Sequence, residues 1–274
     1  MINWRSIGLV ATILSGVMLG ATPVDAGDSR VALLTGGQRI PVTLHPEMPH
    51  DLRKVATASR RHAFVDIVLP VILAVNETIA YDRQRLLSLN ARMLGGGGLT
   101  QAETTWLLDL ARRYKIDRDR HGRVHLDALI ERVDIVPPTM ALAQAALETG
   151  WGTSGHARDG QALFGHMTRN ASAGRASGYA HERAAGLYVR SFPTLLASTE
   201  AYMRNLNTHY AYTEFRSRRL AMRKAGRHPD GTELARTMNP YCGCGPDYID
   251  KLARVIEAGG LDRYDQARLI ASGG

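Results

Sequence analysis

The run Leu142-Ala-Gln-Ala-Ala-Leu-Glu148-Thr-Gly-Trp151-Gly-Thr-Ser154 contains a single charged residue, Glu148, among small, apolar and uncharged polar neighbours. The pattern predicts a helix from Pro137 to Thr149. Pro137 and Pro138 stand where a first turn tolerates proline, and Gly150 and Gly152 stand where a helix stops. Met140, Ala143 and Leu147 form one apolar stripe, Leu142 and Ala146 a second, and Ala141 and Ala145 a third. A helix that is apolar nearly all round is a buried one. Glu148 then sits in the last turn of a buried helix. Lost solvation, the negative end of the helix dipole and the neighbouring Trp151 would all favour its neutral form. A carboxylic acid held protonated near neutral pH is what a general acid requires. The same residues also suit a structural Glu, bonded to backbone groups or paired with one of the many arginines.

Upstream, the chain opens Met1-Ile-Asn-Trp-Arg5, continues apolar from Ile7 to about Thr22, and reaches Pro23-Val-Asp-Ala26. A short charged start, an apolar centre and a small-residue exit predict an export signal over residues 1–26. The run is short and broken by glycine for a membrane span, so cleavage after Ala26 is the leading reading and an uncleaved anchor the lesser one. The formal charge is +8, and the signal holds one Arg and one Asp, so the mature chain keeps that value. A basic exported protein suits an anionic surface such as cell wall or membrane headgroups. No zinc-finger, RRM or basic-helix signature supports a nucleic-acid partner, and the spread arginines read as solvated faces. Cys242 and Cys244 are separated by one glycine. They read either as a strained local disulfide or as two free thiols. Two cysteines without a nearby His pair do not make a metal site, so neither metal nor cofactor is expected.

The remaining length suits one domain with an N-terminal extension. Residues 27–95 read as an extended, loosely attached segment followed by a helical extension. In the latter, Phe64, Ile67, Val68 and Val71 fall at helical spacing, and Pro70 should kink or divide the helix. Gly95-Gly-Gly-Gly98 is a break. Thr100 to Glu103 forms a capping box before a helix carrying Trp106, Leu107, Leu110 and Tyr114. Another helix is expected from Leu126 to Val133. Residues 168–180, rich in Gly, Ala and Ser, read as a loop, and His181 to Phe192 as a hairpin turning at Ala185-Gly186. Helical spacing returns through Leu196, Thr199, Tyr202, Met203 and Leu206. A short helix follows Gly231, and a last one carries Ile249, Leu252, Ala253 and Ile256. The main domain is placed at 96–265 and a tail at 266–274. The class is α+β, predominantly α, with a small β-hairpin beside a cleft.

Val133-Asp-Ile-Val-Pro-Pro138 followed by the Glu148 run resembles the bacterial glucosaminidase domain of glycoside hydrolase family 73, in its Bax-like branch. Further matching segments follow in order: Leu163-Phe-Gly165, Ala201-Tyr-Met-Arg-Asn-Leu-Asn-Thr208, Ala211-Tyr212, Phe215-Arg216, and Tyr241 with Tyr248 seven residues on. Together they span roughly residues 50–262; the ordered set is specific, whereas Leu-Phe-Gly alone is weak. The resemblance implies a lysozyme-like fold and hydrolysis of the β-1,4 glycan of peptidoglycan at an N-acetylglucosaminyl bond. It implies Glu148 as the general acid. Glu182, the only carboxylate in the hairpin segment, and Tyr241 are the candidates for completing the catalytic set. Trp151, Phe164, Tyr202, Asn205 and Asn207 are the candidate substrate-binding residues; each also has a packing or capping reading. The chain departs from the family where Gln161-Ala162 precedes Leu-Phe-Gly, where His166-Met167 follows it, and where Tyr241-Cys-Gly-Cys-Gly-Pro-Asp247 replaces the usual C-terminal motif.

The expectation is therefore an exported, monomeric hydrolase in a bacterial periplasm or cell envelope. Its partners would be peptidoglycan glycan strands, with peripheral contact to anionic surfaces and none to nucleic acid. Lytic transglycosylase cleavage and a non-catalytic wall-binding protein are the rival readings.

Overall fold

The structure, a computed structural model, describes residues 38–41, 43–241 and 246–270. The export signal, the first part of the extended segment, the Cys242–Cys244 question and the end of the tail lie outside the described residues.

The helix predicted around Glu148 runs Pro138–Thr149, with Pro137 at its N-cap and Gly150 in the left-handed conformation at its end (φ 57°, ψ 47°). It is the fourth helix, α4, and Pro138 to Ala146 are all buried. Its neighbours are α1 (Thr57–Leu94), α9 (Gly231–Ala235), α10 (Pro246–Gly259) and the 3-10 turn Leu261–Tyr264. Side chains from all of these join one hydrophobic core, centred on Met140, Leu142, Phe64, Val68, Leu252 and Leu261. An apolar helix without a polar face has to be surrounded, and α4 is.

The helix α1 corrects two expectations. It is continuous through Pro70, which is itself buried. A proline there removes one helical hydrogen bond, and the flanking Leu69, Val71 and Ile72, all almost fully buried, keep the helix in place. Nor is α1 an extension outside the main domain. Asn76 on α1 bonds both ways to the backbone of Val136, donating to its carbonyl at 2.8 Å and accepting from its amide at 3.0 Å. That fixes α1 against the entry to α4, so no boundary in packing falls at residue 95. Its composition would suit a membrane span, but 67% of its most apolar window is buried in the fold. The segment before α1 is also attached. Strand β1 (Arg39–Pro41) pairs in parallel with β5 (Arg268–Ile270), and the buried Met48 donates its amide to Gln161 at 2.8 Å.

Through Leu86, α1 builds a second cluster with α2 (Gln101–Arg113) and α3 (Leu126–Arg132), using Leu107, Leu110, Leu129 and Val133. The Thr100–Glu103 capping box forms as expected. Its Glu103 also pairs with Arg92 at the end of α1.

After the short helix α5 (Gly155–Gly160) comes the small sheet, which differs from the predicted hairpin. Its strands are β2 (Met167–Thr168), β3 (Gly174–Ala176) and β4 (Tyr188–Arg190), in the antiparallel order β2-β4-β3. Strand β3 and the second residue of β2 come from the segment read as loop, and Ala180–Ala184 is a helical turn, α6. Strands of two or three residues are too short to show an alternating pattern. One glycine marks the pairing: a Cβ on Gly174 would stand 2.7 Å from the Val189 carbonyl oxygen. The helices α7 (Leu195–Thr208) and α8 (Thr213–Lys224) complete the fold, which is α+β and predominantly helical.

Candidate active site

Glu148 is brought to the site by the last turn of α4, and what surrounds it comes from elements far apart in sequence. Tyr248 of α10 donates its hydroxyl to Oε1 of Glu148 at 3.0 Å. Gln144, one helical turn before Glu148, donates its amide to the Tyr248 oxygen at 3.1 Å. Tyr202 of α7 donates to Oε1 of Gln144 at 2.6 Å. On the other side lies the Leu163-Phe164-Gly165 turn. Gly165 has φ +58°, and a Cβ on it would stand 3.0 Å from Oε2 of Glu148. Only glycine fits there without displacing the carboxyl.

Tyr241 caps this arrangement. Its hydroxyl donates to the Phe164 carbonyl at 2.7 Å, and its ring stacks on Tyr248 at 5.5 Å and 15°. Tyr212 stands 6.4 Å from Tyr241, ring to ring. Glu148 thus lies among phenols rather than cations.

The electrostatics follow from that setting. Burial pushes the Glu148 carboxyl above its ordinary range, the Tyr248 hydrogen bond works against this, and the charge of Glu182 adds to it. Desolvation outweighs one neutral donor here. Burial also raises Tyr202, Tyr241 and Tyr248, and the Glu148 charge adds to each, so these phenols stay neutral. Glu182, on α6, is held by the hydroxyl of the buried Ser177. His166, next to Gly165, is pushed down to about 4 by burial and the nearby Arg190, and packs edge-on against Phe192.

The site residues expected from sequence divide into two groups. Glu148 and Tyr241 come together, and the field of Glu182 reaches Glu148. The candidate substrate-binding residues mostly do not face outward. Tyr202 is fully buried and lies flat against Phe164, 3.8 Å and 6° apart, with Phe164 only 2% exposed. Phe164 is a core residue rather than a cleft wall; it is its backbone carbonyl that meets Tyr241. Asn207 is fully buried, donates to the Asp134 carbonyl at 3.0 Å and accepts from Arg219 at 2.8 Å. Trp151 packs edge-to-face on Phe64 at 5.6 Å, beneath Arg61 at 5.3 Å. Asn205 is half-buried.

Sequence reasoning missed Gln144 and gave Tyr248 no role. Gln144 carried a usable signal. It is an amide in an apolar helix, four residues before the acid and so on the same face. Nothing local to Tyr248 showed that it would reach a residue a hundred positions away. Among the described residues, no cluster of three or more His, Cys, Asp or Glu side chains could hold a metal ion.

A sequence profile of the glucosaminidase family, described as mannosyl-glycoprotein endo-beta-N-acetylglucosaminidase, matches residues 125–261. The chain belongs to the glucosaminidase family. It is similar to Protein bax of Escherichia coli (strain K12), 33% identical over 228 residues, covering 81% of this chain and 76% of the relative. No solved structure matches significantly. Membership makes the protein a glycoside hydrolase of the endo-β-N-acetylglucosaminidase type. The part matched to the glucosaminidase profile contains Gln144, Glu148, Gly165, Glu182, Tyr202, Tyr241 and Tyr248. It leaves out α1, although α1 supplies a large share of the core around the acid helix.

Proposed function

We propose that this glucosaminidase cleaves the β-1,4 glycan backbone of peptidoglycan at an N-acetylglucosaminyl bond, with Glu148 as its general acid. The observation that carries the reading is the setting of Glu148: a carboxyl raised by burial, bonded through Oε1, with Oε2 next to a residue that has no side chain. An acid in that state keeps its proton to higher pH than a solvated carboxyl and can give it to a leaving glycosidic oxygen as the bond to the anomeric carbon breaks. Water then adds at the anomeric carbon. Tyr241 already gives its hydroxyl hydrogen to the Phe164 carbonyl, so its oxygen lone pairs can accept a hydrogen from that water. Glu182 is the carboxylate that would assist, and the substrate's own acetamido group is the remaining route. The net charge of +8 suits work at an anionic wall, and the N-terminal pattern suits export to the periplasm or envelope, as a monomer needing no cofactor.

The test is digestion of purified sacculi by wild type and Glu148→Gln. Wild type should release new reducing ends, and Glu148→Gln should lose activity by about 10²–10⁴-fold, the range for a general acid. Equal digestion by both would remove Glu148 from the role. Mass spectrometry of the fragments separates the chemistries: hydrated reducing ends for hydrolysis, anhydro ends for a transglycosylase. Binding to sacculi without any release would mark a non-catalytic wall-binding protein.

A further inference from the structure

The two carboxyl oxygens of Glu148 have unlike surroundings. Oε1 accepts from Tyr248, whereas Oε2 faces the space that a side chain at Gly165 would fill. Behind Tyr248 lie Gln144 and Tyr202, both fully buried. The lengths agree with the way these groups are turned. Tyr202 to Gln144 is 2.6 Å, an O–H···O length, and Gln144 to Tyr248 is 3.1 Å, an N–H···O length. An amide oxygen only accepts and an amide nitrogen only donates. Tyr202 therefore donates to Gln144 and Gln144 donates to Tyr248. Tyr248 keeps its own hydrogen for Glu148. If the amide were turned over, Tyr248 would donate to Gln144 instead, and Oε1 could keep its contact only by carrying the acid's proton itself.

We propose that Gln144 is a positioning residue which, through Tyr248, keeps Oε1 of Glu148 a hydrogen-bond acceptor, so that the acid's proton resides on Oε2 beside Gly165 and is delivered from there. The proposal rests on Glu148 being the general acid. When the glycosidic C–O bond breaks, its electron pair goes to the leaving oxygen, which takes the proton from Oε2. The carboxylate that remains is met by a relay already oriented to donate. Hydrogen bonds to a charged acceptor are stronger than those to a neutral one, so the relay favours the state reached after proton transfer. Solvent restores the proton once products leave.

The groups whose charge bears on Glu148, or that feel its charge, are Tyr248 from α10, Glu182 from α6, Tyr202 from α7, and Tyr212 and Tyr241 from the turns around them. The four phenols remain neutral across the working range, so the relay changes the acid through hydrogen bonding and not through a second titration.

The experiment is the pH profile of kcat/KM on soluble peptidoglycan fragments, using the full chain. Tyr248→Phe should move the basic limb upward by about one pH unit, the size a single hydrogen bond to a charged group gives. Gln144→Met should move it in the same direction by less. The double variant should match Tyr248→Phe alone, because Gln144 acts through that hydroxyl. A lower rate with an unmoved limb in Gln144→Met, or a double shift equal to the sum of the singles, overturns the proposal. If Gln144→Met fails to fold, Tyr202→Phe, which keeps the ring stacked on Phe164, takes its place with the same two outcomes. A second readout needs no turnover. The protonated carboxyl band in the infrared, assigned to Glu148 by its loss in Glu148→Gln, should shift to higher frequency in Tyr248→Phe as its C=O loses a donor. An unchanged band overturns the relay. Full activity in Glu148→Gln would instead overturn the acid assignment, and the infrared band would still decide the relay by itself.

Discussion

At the residue scale, Glu148 combines a site requirement with a cost to the fold. Burial raises its folded pKa above the ordinary value of 4.5. A raised carboxyl means the native state holds the proton more tightly than the unfolded chain. Its contribution to stability is therefore complete below pH 4.5 and is lost as pH rises through the folded value. Glu148→Gln, which keeps an acceptor for Tyr248, should melt above wild type at neutral pH, with the gap closing as pH falls through the folded value toward 4.5 and constant below that. Thermal melts across pH check this, and a constant gap would mean the carboxyl is not held neutral by the fold. Gly165 gives the complementary case. Ala there would meet Oε2 of Glu148 at 3.0 Å in a left-handed conformation. Displacing the acid should lower kcat/KM by about 10²-fold, the usual effect of misplacing a reacting group by an ångström. A Gly165→Ala enzyme with wild-type kinetics would show that Oε2 has no need of that space. The buried carboxyl was legible in sequence, because one charge in an apolar helix stands out. Its partners were not, since Tyr248 and Gly165 meet it only across the fold.

At the element scale, α4 ends in three successive left-handed residues, Gly150, Trp151 and Gly152, with φ of 57°, 58° and 79°. Trp151 bears a side chain in a conformation unfavourable for one, and its packing on Phe64 and Arg61 holds it there. Gly152 is needed for space as well as for angle. A Cβ would lie 2.9 Å from Sδ of Met48, 3.0 Å from Leu52 and 3.2 Å from Phe64. Gly152→Ala should destabilise the protein by about 1–3 kcal/mol, the cost of overpacking a filled core, read as a lower denaturation midpoint at unchanged m-value. An unchanged midpoint would mean the α1 approach can yield. The helix stop was legible from Gly150 and Gly152. The small sheet was not, because its strands are set by pairing: Gly174 matters through the Val189 carbonyl on the neighbouring strand, which no local pattern reports.

At the scale of the whole molecule, Asp134 joins elements that the sequence keeps apart. It is 2% exposed and faces Arg223 at 2.9 Å, Arg83 at 3.5 Å and Arg219 at 4.0 Å, from α8, α1 and α8 respectively. Burial opposes its charge, yet Arg219, Arg223 and Arg83 together hold the carboxyl below its ordinary value. Asp134→Ala leaves the fully buried Arg219 without its counter-charge and should cost about 3–5 kcal/mol, the usual loss on breaking a buried pair. With a lowered folded pKa, this stabilisation is present above pH 3.8 and is lost as pH falls through the folded value, so the variant should also show a shallower acid limb in its unfolding. A loss under about 1 kcal/mol would class the cluster with surface ion pairs. Sequence by itself determined the helical class, the buried acid helix with its start and stop, and the ordered motifs of the family, because periodicity, proline, glycine and a lone charge act locally. Only the tertiary structure decided that α1 belongs to the core, that Tyr202, Phe164 and Asn207 face inward, and that Gln144 and Tyr248 reach Glu148. Those outcomes depend on which surfaces the packed helices bury against one another, and burial is a property of the assembled chain.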